Sequence, residues 1–208
     1  MRLFHTPGSP FARIARVALR ETGLLARVEE VETTLRDPAS SLLPVNPVGR
    51  VPTLLLPDGT ALTETALIIP FLDGLGRAAP LLPAGDAAAW AAFGRILGML
   101  DGIGVWNREL RRPVEERSPG VIALETRRAT RVADALEAEI AAGGWQVGER
   151  PGERLDAARI ALGCALGYGE RRHRAWAWRE GRPALAAWFD RIAARPSFLA
   201  TIPPVSGL

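Results

Sequence analysis

Lysine is absent from this 208-residue chain, and all 26 of its basic side chains are arginines. That excludes chemistry built on a lysine amine: Schiff-base formation, attachment of a pyridoxal cofactor, and the phosphate-binding lysines of P-loop and kinase sites. The single cysteine, Cys164, rules out a disulfide within the chain. Two histidines, His5 and His173, distant in sequence, do not make a zinc site of the usual kind, so no metal is expected. No uninterrupted apolar run reaches the roughly 18–20 residues that span a bilayer. After Met1-Arg2 comes a short strand-like run and then turn residues, not an apolar leader. The expectation is a cytoplasmic protein with no membrane partner. Charge of either sign is nearly balanced, with a net of +3. Almost nothing titrates between neutrality and the arginines, so the isoelectric point is high while the long-range field stays weak. That balance does not ask for a nucleic-acid partner.

What is present suits a folded soluble chain: 48% hydrophobic and 24% charged residues, a length for one large domain or two small ones, and enough apolar surface for a sizeable core. The two halves read differently. Up to about Gly76, short β-like runs alternate with helical patterns. Arg2–His5 reads as a strand, Thr6-Pro7-Gly8 as a turn, and Ser9-Pro10 as an N-cap with proline at the first helical position. In the helix that follows, Phe11, Ile14, Ala15 and Ala18 form a stripe for the core, and Arg13, Arg16 and Arg20 a stripe for water. Residues 27–32 are a weaker strand. Val51–Leu56 is a stronger one, because Leu54-Leu55-Leu56 is bounded by turn signals, and Pro57-Asp58-Gly59 folds it back onto Thr60–Leu62. A helix starts near Thr63, and Pro70 inside it predicts a kink or early break.

Residues 77–84, with two prolines, read as a linker. Beyond it strand signals vanish, and 86–111, 121–142, 155–170 and 183–194 all carry helical periodicity. The segment 155–168 is apolar nearly all round apart from Asp156 and Arg159, which places it at the centre of a bundle. Cys164 on that helix reads as inert core. Basic and tryptophan residues interleave from Arg171 to Arg179. That pattern suits nucleic-acid stacking, but flanking Glu170 and Glu180 favour a loop anchored by its tryptophans.

A small α/β unit, a short linker and an all-helical second half resemble the glutathione transferase architecture. Local signatures carry the resemblance in order along the whole chain: Ser9-Pro10-Phe11-Ala12-Arg13, similar to the first-helix motif of serine-type bacterial branches; Asn46-Pro47-Val48-Gly49-Arg50-Val51-Pro52, similar to the run into the family's cis-proline; and Glu64-Thr65 where the family has Glu-Ser. Trp178-Arg179, Pro183, Trp188-Phe189 and Arg195-Pro196-Ser197-Phe198 resemble the closing helices. The implied fold is a thioredoxin-like βαβαββα domain over 1–76, followed by an all-α bundle over 85–208.

The resemblance implies glutathione as cosubstrate and Ser9 as the catalytic residue. A hydroxyl aimed at sulfur from the first turn of a helix favours thiolate, and the helix dipole adds to it. Read without the resemblance, Ser9 is an N-cap only; Thr6 and His5 are nearby alternatives for the thiolate-stabilising role. The only tyrosine, Tyr168, lies too late in the chain for a tyrosine-type enzyme. Glutathione-binding roles are implied for Phe11 and for Arg50, which would meet the glycyl carboxylate or lie in solvent. Val51 would offer its backbone to the cysteinyl part if Val51-Pro52 is cis. Glu64 and Thr65 would hold the γ-glutamyl end, or simply open a helix capped by Thr63. Asp101, Trp106 and Arg108 are implied for the partner-subunit contact or the acceptor pocket, where an aromatic wall with arginines, Arg111 and Arg112 included, suits an anionic substrate. Each also reads as an ordinary helix-face residue. Asp156 fits the family's buried aspartate before the central helix, with Glu153 in place of its usual hydroxyl partner. The reading that follows is a homodimeric glutathione transferase acting on a small electrophile. The alternatives are a non-catalytic binding or interaction protein of the same fold and a glutathione-dependent isomerase.

Overall fold

A computed structural model describes residues 1–76, 80–146 and 155–206. Strands occupy only its first part: β1 (Arg2–His5), β2 (Glu29–Glu32), β3 (Thr53–Leu55) and β4 (Ala61–Thr63). They form one mixed sheet in the order β2-β1-β3-β4, with β1 and β2 parallel and the other pairs antiparallel. The parallel pair needs a crossover, which is supplied by α1 (Pro10–Glu21). The β3–β4 hairpin turns where Asp58 accepts the Thr60 amide at 2.9 Å. A helix α2 (Thr65–Leu75) closes this part. It runs through Pro70 without the early break expected from sequence, and it begins at Glu64 rather than with a Thr63 cap.

The later described residues carry five α-helices: α3 (Ala87–Leu110), α4 (Pro119–Ala141), α5 (Ala157–Arg172), α6 (Pro183–Ala193) and the short α7 (Pro196–Leu199). Every α5 residue from Ala157 to Gly169 except Arg159 is buried, so the apolar-all-round segment is the central helix. Cys164 is fully buried there, and burial pushes its thiol up to about 12. Asp156 caps α5 by accepting the Arg159 amide at 2.8 Å, but its side chain stays 32% exposed, unlike the buried aspartate expected. Glu153 lies outside the described residues. Trp176 and Trp178 anchor the loop after α5 as expected, with Trp178 donating to the Leu166 carbonyl at 3.1 Å. One helix, α3, is long and apolar enough by length and composition to cross a membrane, although Arg95 and Asp101 interrupt its apolar run.

The arginine stripe of α1 does not face water. Arg16 and Arg20 both grip Glu30 on β2, at 2.6 and 2.7 Å. Burial of Glu30 opposes its ionisation, but these hydrogen bonds win and hold the carboxyl down to about 2. Arg13 is buried, donating to Thr201 Oγ1 at 3.3 Å and the Phe198 carbonyl at 3.1 Å. The last residue of α1, Glu21, is clasped by Arg195 at 3.0 Å and by Ser197 Oγ at 2.6 Å. Helix α1 therefore binds the C-terminal segment through Arg13 and Glu21, while Ile14, Ala15 and Ala18 fill the core.

His173, fully buried beyond the end of α5, meets the Asn107 amide at Nδ1 (3.1 Å) and packs edge-on against Trp106. That amide nitrogen only donates, so Nδ1 accepts and the ring proton sits on Nε2. Burial, and then Arg111, push the imidazole down to about 4 from an ordinary 6.5. The unfolded chain takes up this proton near pH 6.5 and the folded chain only near 4, so stability falls as pH drops through that window. The shift corresponds to about 3 kcal/mol. Urea unfolding across this range should show the loss, and His173→Gln should flatten it. Loss at Glu30 lies lower, between 4.5 and about 2.

Candidate functional site

A cleft of about 440 Å³ opens where the loop before β3, the start of α2 and the middle of α3 meet. Its floor is organised by Asn46, buried and in contact with three partners. The Asn46 amide donates to the Arg50 carbonyl at 3.1 Å and to Thr53 Oγ1 at 2.9 Å, and its oxygen accepts the Val48 amide at 3.1 Å. This fixes the loop that delivers Val51-Pro52, and that peptide bond is cis. Ladder pairing in β3 begins at Thr53, so the Val51 N–H and C=O are free of partners among the described residues and lie at the cleft wall. Such a strand-like edge suits an extended peptide. Arg50 is exposed at the rim.

Opposite stands the N-terminus of α2. Glu64 adopts φ 67°, a left-handed backbone that L residues rarely occupy, with its carboxylate exposed at the cleft. The first N–H groups of a helix have no partner within it. Those of Thr65 and Ala66 stand at the cleft and, with the dipole, favour an anion. The Thr65 hydroxyl itself is turned inward, donating to the Phe11 carbonyl at 3.2 Å. Thr65 therefore offers an anion its backbone N–H, while its hydroxyl proton is already used. That bond also ties α2 to α1 and sets Phe11 into the wall.

Leu97, Gly98 and Asp101 of α3 form the far side, with Asp101 exposed. A cation at the rim, two carboxylates and a helix N-terminus around one cleft suit a zwitterionic ligand with more than one carboxylate. Trp106 is buried against His173 instead of facing this cleft, and Arg108 is exposed at the end of α3, outside the cleft lining. Ser9 stands two residues before Phe11 in sequence and is not among the residues that line the cleft. Its Oγ accepts the Ala12 amide at 3.2 Å, which is the cap expected from sequence. Accepting uses a lone pair and leaves the O–H proton available to a neighbour. His5 is buried, its pKa lowered by burial and then by Arg16, and it does not line the cleft. Among the described residues, no group of three or more His, Cys, Asp or Glu could hold a metal ion.

Asn46, Leu97 and Gly98 had no part in the residue-level reading of the site. Asn46 carried a signal, since an Asn-Pro pair ahead of a strand marks a turn. The α3 residues carried none, because which face of a helix meets a distant loop is decided by packing.

Comparison with known proteins agrees along the chain. Residues 3–79 match the family model for the glutathione S-transferase N-terminal domain, and 121–196 match the model for the C-terminal domain. A solved glutathione transferase family member from Pseudomonas fluorescens Pf-5, with bound S-(propanoic acid)-glutathione, is 35% identical with a TM-score of 0.85, covering 99% of this chain and 100% of that one. A glutathione S-transferase from Methylobacillus flagellatus KT with glutathione bound is 32% identical with a TM-score of 0.83, over 97% and 98% of the two chains. Glutathione S-transferase GstA of Escherichia coli O157:H7 is 28% identical over 94% of each chain. Matched in both halves and sharing one architecture end to end with these proteins, the chain belongs to the glutathione S-transferase family.

Proposed function

We propose that this protein is a glutathione transferase that conjugates a small electrophile, a detoxification chemistry, in the cytoplasm. The observation that carries the reading is the meeting of three glutathione-suited segments in one cleft: the free backbone edge at Val51, the rim cation Arg50, and the open N-terminus of α2. Glutathione-bound neighbours of the same architecture support it. Residues 1–76 form the glutathione-binding unit and 85–208 the helical one. In the cleft, Val51 pairs with the cysteinyl backbone, Arg50 meets the glycyl carboxylate, and the Thr65 and Ala66 N–H groups hold the γ-glutamyl carboxylate with Glu64 near its ammonium. Phe11 walls the cleft. The thiol then lies toward Ser9, whose hydroxyl donates to sulfur and holds it as thiolate. The thiol proton leaves to solvent, sulfur bonds to the electrophilic carbon, and the leaving group or π-electron pair departs from that carbon. A homodimer is supported by the open face of α3, where Trp90 is 41% exposed and a Cβ built on Gly94 or Gly98 would meet no atom within 4 Å, with Asp101 beside it.

A binder without turnover is the second reading, favoured by the cap that Ser9 already makes. Calorimetric binding of glutathione, followed by assay with a chromogenic chloronitroarene, separates the two. Binding with turnover well above the free-glutathione rate is expected. Binding with no rate enhancement for any electrophile would assign the protein to the second reading.

A further inference from the structure

Several arginines of the helical part are paired with carboxylates. Arg95 meets Glu139 at 2.6 Å, Arg182 meets Asp134 at 2.6 Å, Arg195 meets Glu21 at 3.0 Å, and Arg179 bridges Glu170 and Asp190. Even exposed Arg112 stands near Glu109 and Glu116. Arg108, Arg111 and Arg172 have no carboxylate at ion-pair distance among the described residues.

These three share one place. Arg108 and Arg111 are at the end of α3, and Arg172 is the last residue of α5. Asn107 ties the two helix ends together, donating its amide to the Arg172 carbonyl at 3.0 Å. Tyr168, one turn before Arg172, lies in the field of all three guanidinium groups. Its burial raises the phenol's pKa, so it supplies no counter-charge. Helix C-termini tolerate cations, but three cations gathered without an anion repel one another.

Arg172 joins this cluster to the sulfur site. Its guanidinium lies against Gly8, the residue before Ser9: a Cβ on Gly8 would come within 2.8 Å of Nη2 and 3.0 Å of Nε. Only glycine lets the planar group approach the turn so closely. The Arg172 Nε is buried with no partner, and Nη1 reaches only the Pro204 carbonyl, at 3.5 Å. The turn before α1 thus has the cleft on its Phe11 side and unspent guanidinium donors on its Gly8 side.

We propose that Arg108, Arg111 and Arg172 form an anion subsite for the acceptor, so that the preferred substrate is an electrophile carrying a carboxylate. The proposal rests on the reading of Ser9 as the sulfur site. A planar guanidinium fork matches a carboxylate, and binding it relieves the repulsion of the cluster while turning the electrophilic carbon toward Gly8 and Ser9. With a chloronitrobenzoate, the thiolate sulfur bonds to the ring carbon that bears chlorine, the C–Cl bond breaks, and chloride leaves with its electron pair. The carboxylate is unchanged.

The test compares a chloronitrobenzoate with the matched chloronitrobenzamide, each kcat/KM divided by the uncatalysed rate with glutathione. The acid should exceed the amide by roughly tenfold or more, the size of one charge-assisted contact. That ratio should fall toward one in Arg172→Gln and in the Arg108→Gln/Arg111→Gln double variant. Binding of the two S-aryl glutathione products, followed by tryptophan fluorescence, should show the same preference and the same loss without requiring turnover. A sulfonate and its sulfonamide, run alongside, separate selection for a planar carboxylate from selection for any oxyanion. An acid-to-amide ratio near one in the native protein, or one that the arginine variants leave unchanged, would overturn the subsite. Absence of turnover with both substrates while the acid product still binds preferentially would overturn the transferase reading and leave the subsite standing.

Discussion

Replacing Ser9 with glycine is expected to lower kcat/KM for glutathione conjugation roughly 100-fold while costing only a few tenths of a kcal/mol in stability. The two effects separate because the Ser9 oxygen has two uses. As acceptor it caps α1 through the Ala12 amide, and glycine is itself a fair cap residue. As donor, in the proposed reaction, it would hold a thiolate, and nothing at a glycine replaces that proton. Lowering a thiol pKa by about 2 units corresponds to about 2.7 kcal/mol, which matches the rate loss. Ser9→Ala should lose the same activity and about 1 kcal/mol of stability in addition. Steady-state kinetics and urea unfolding on the same preparations check the pair. Activity that followed stability instead of the hydroxyl would make Ser9 a cap only.

Arg13→Ala is expected to cost about 3 kcal/mol of stability. The guanidinium is buried with no carboxylate at ion-pair distance among the described residues. Its donors go to Thr201 Oγ1 and the Phe198 carbonyl, and it lies over the Phe198 ring at 5.2 Å. Gly167 makes the room, since a Cβ there would come within 2.6 Å of Arg13 Nη1. Alanine leaves a cavity where α1 meets the C-terminal segment. Arg13→Met should cost less than half as much, because it fills the space and the Phe198 carbonyl keeps the Thr201 hydroxyl at 3.3 Å. Urea midpoints for the two variants measure the difference. Equal losses would show that the charge, rather than the volume, holds the segment.

Arg13 also marks where sequence reasoning stops. Periodicity sorts charged residues to the outside of a helix, and Arg13, Arg16 and Arg20 form a proper polar stripe by that rule. The rule fails where the outside of one unit is the inside of another: Arg13 reaches residues some 185 positions away. Local signals worked where the cause is local. Ser9-Pro10 opens α1, Pro57-Asp58-Gly59 turns the β3–β4 hairpin, and the apolar run after Asp156 becomes the buried α5. The site divides the same way. Val51-Pro52 and Glu64-Thr65 are visible as motifs, but the cis bond is set by a loop that Asn46 holds together. The inward turn of the Thr65 hydroxyl depends on a carbonyl on another helix. Trp106 looks like a pocket wall in sequence, yet it packs on His173, which lies beyond the end of a different helix. Arg172 gives no sign of its position beside Gly8 until α5 is seen against the first turn.

The central claim is that this fold ionises glutathione through Ser9, and thiolate absorbance measured against pH in the presence of the protein tests it most directly. Bound glutathione should ionise about 2 units below its free value, and Ser9→Ala should return it to that value. Glutathione that binds to the native protein with an unshifted thiol would contradict the account, leaving Ser9 as the cap of α1 and the cleft as a binding site alone.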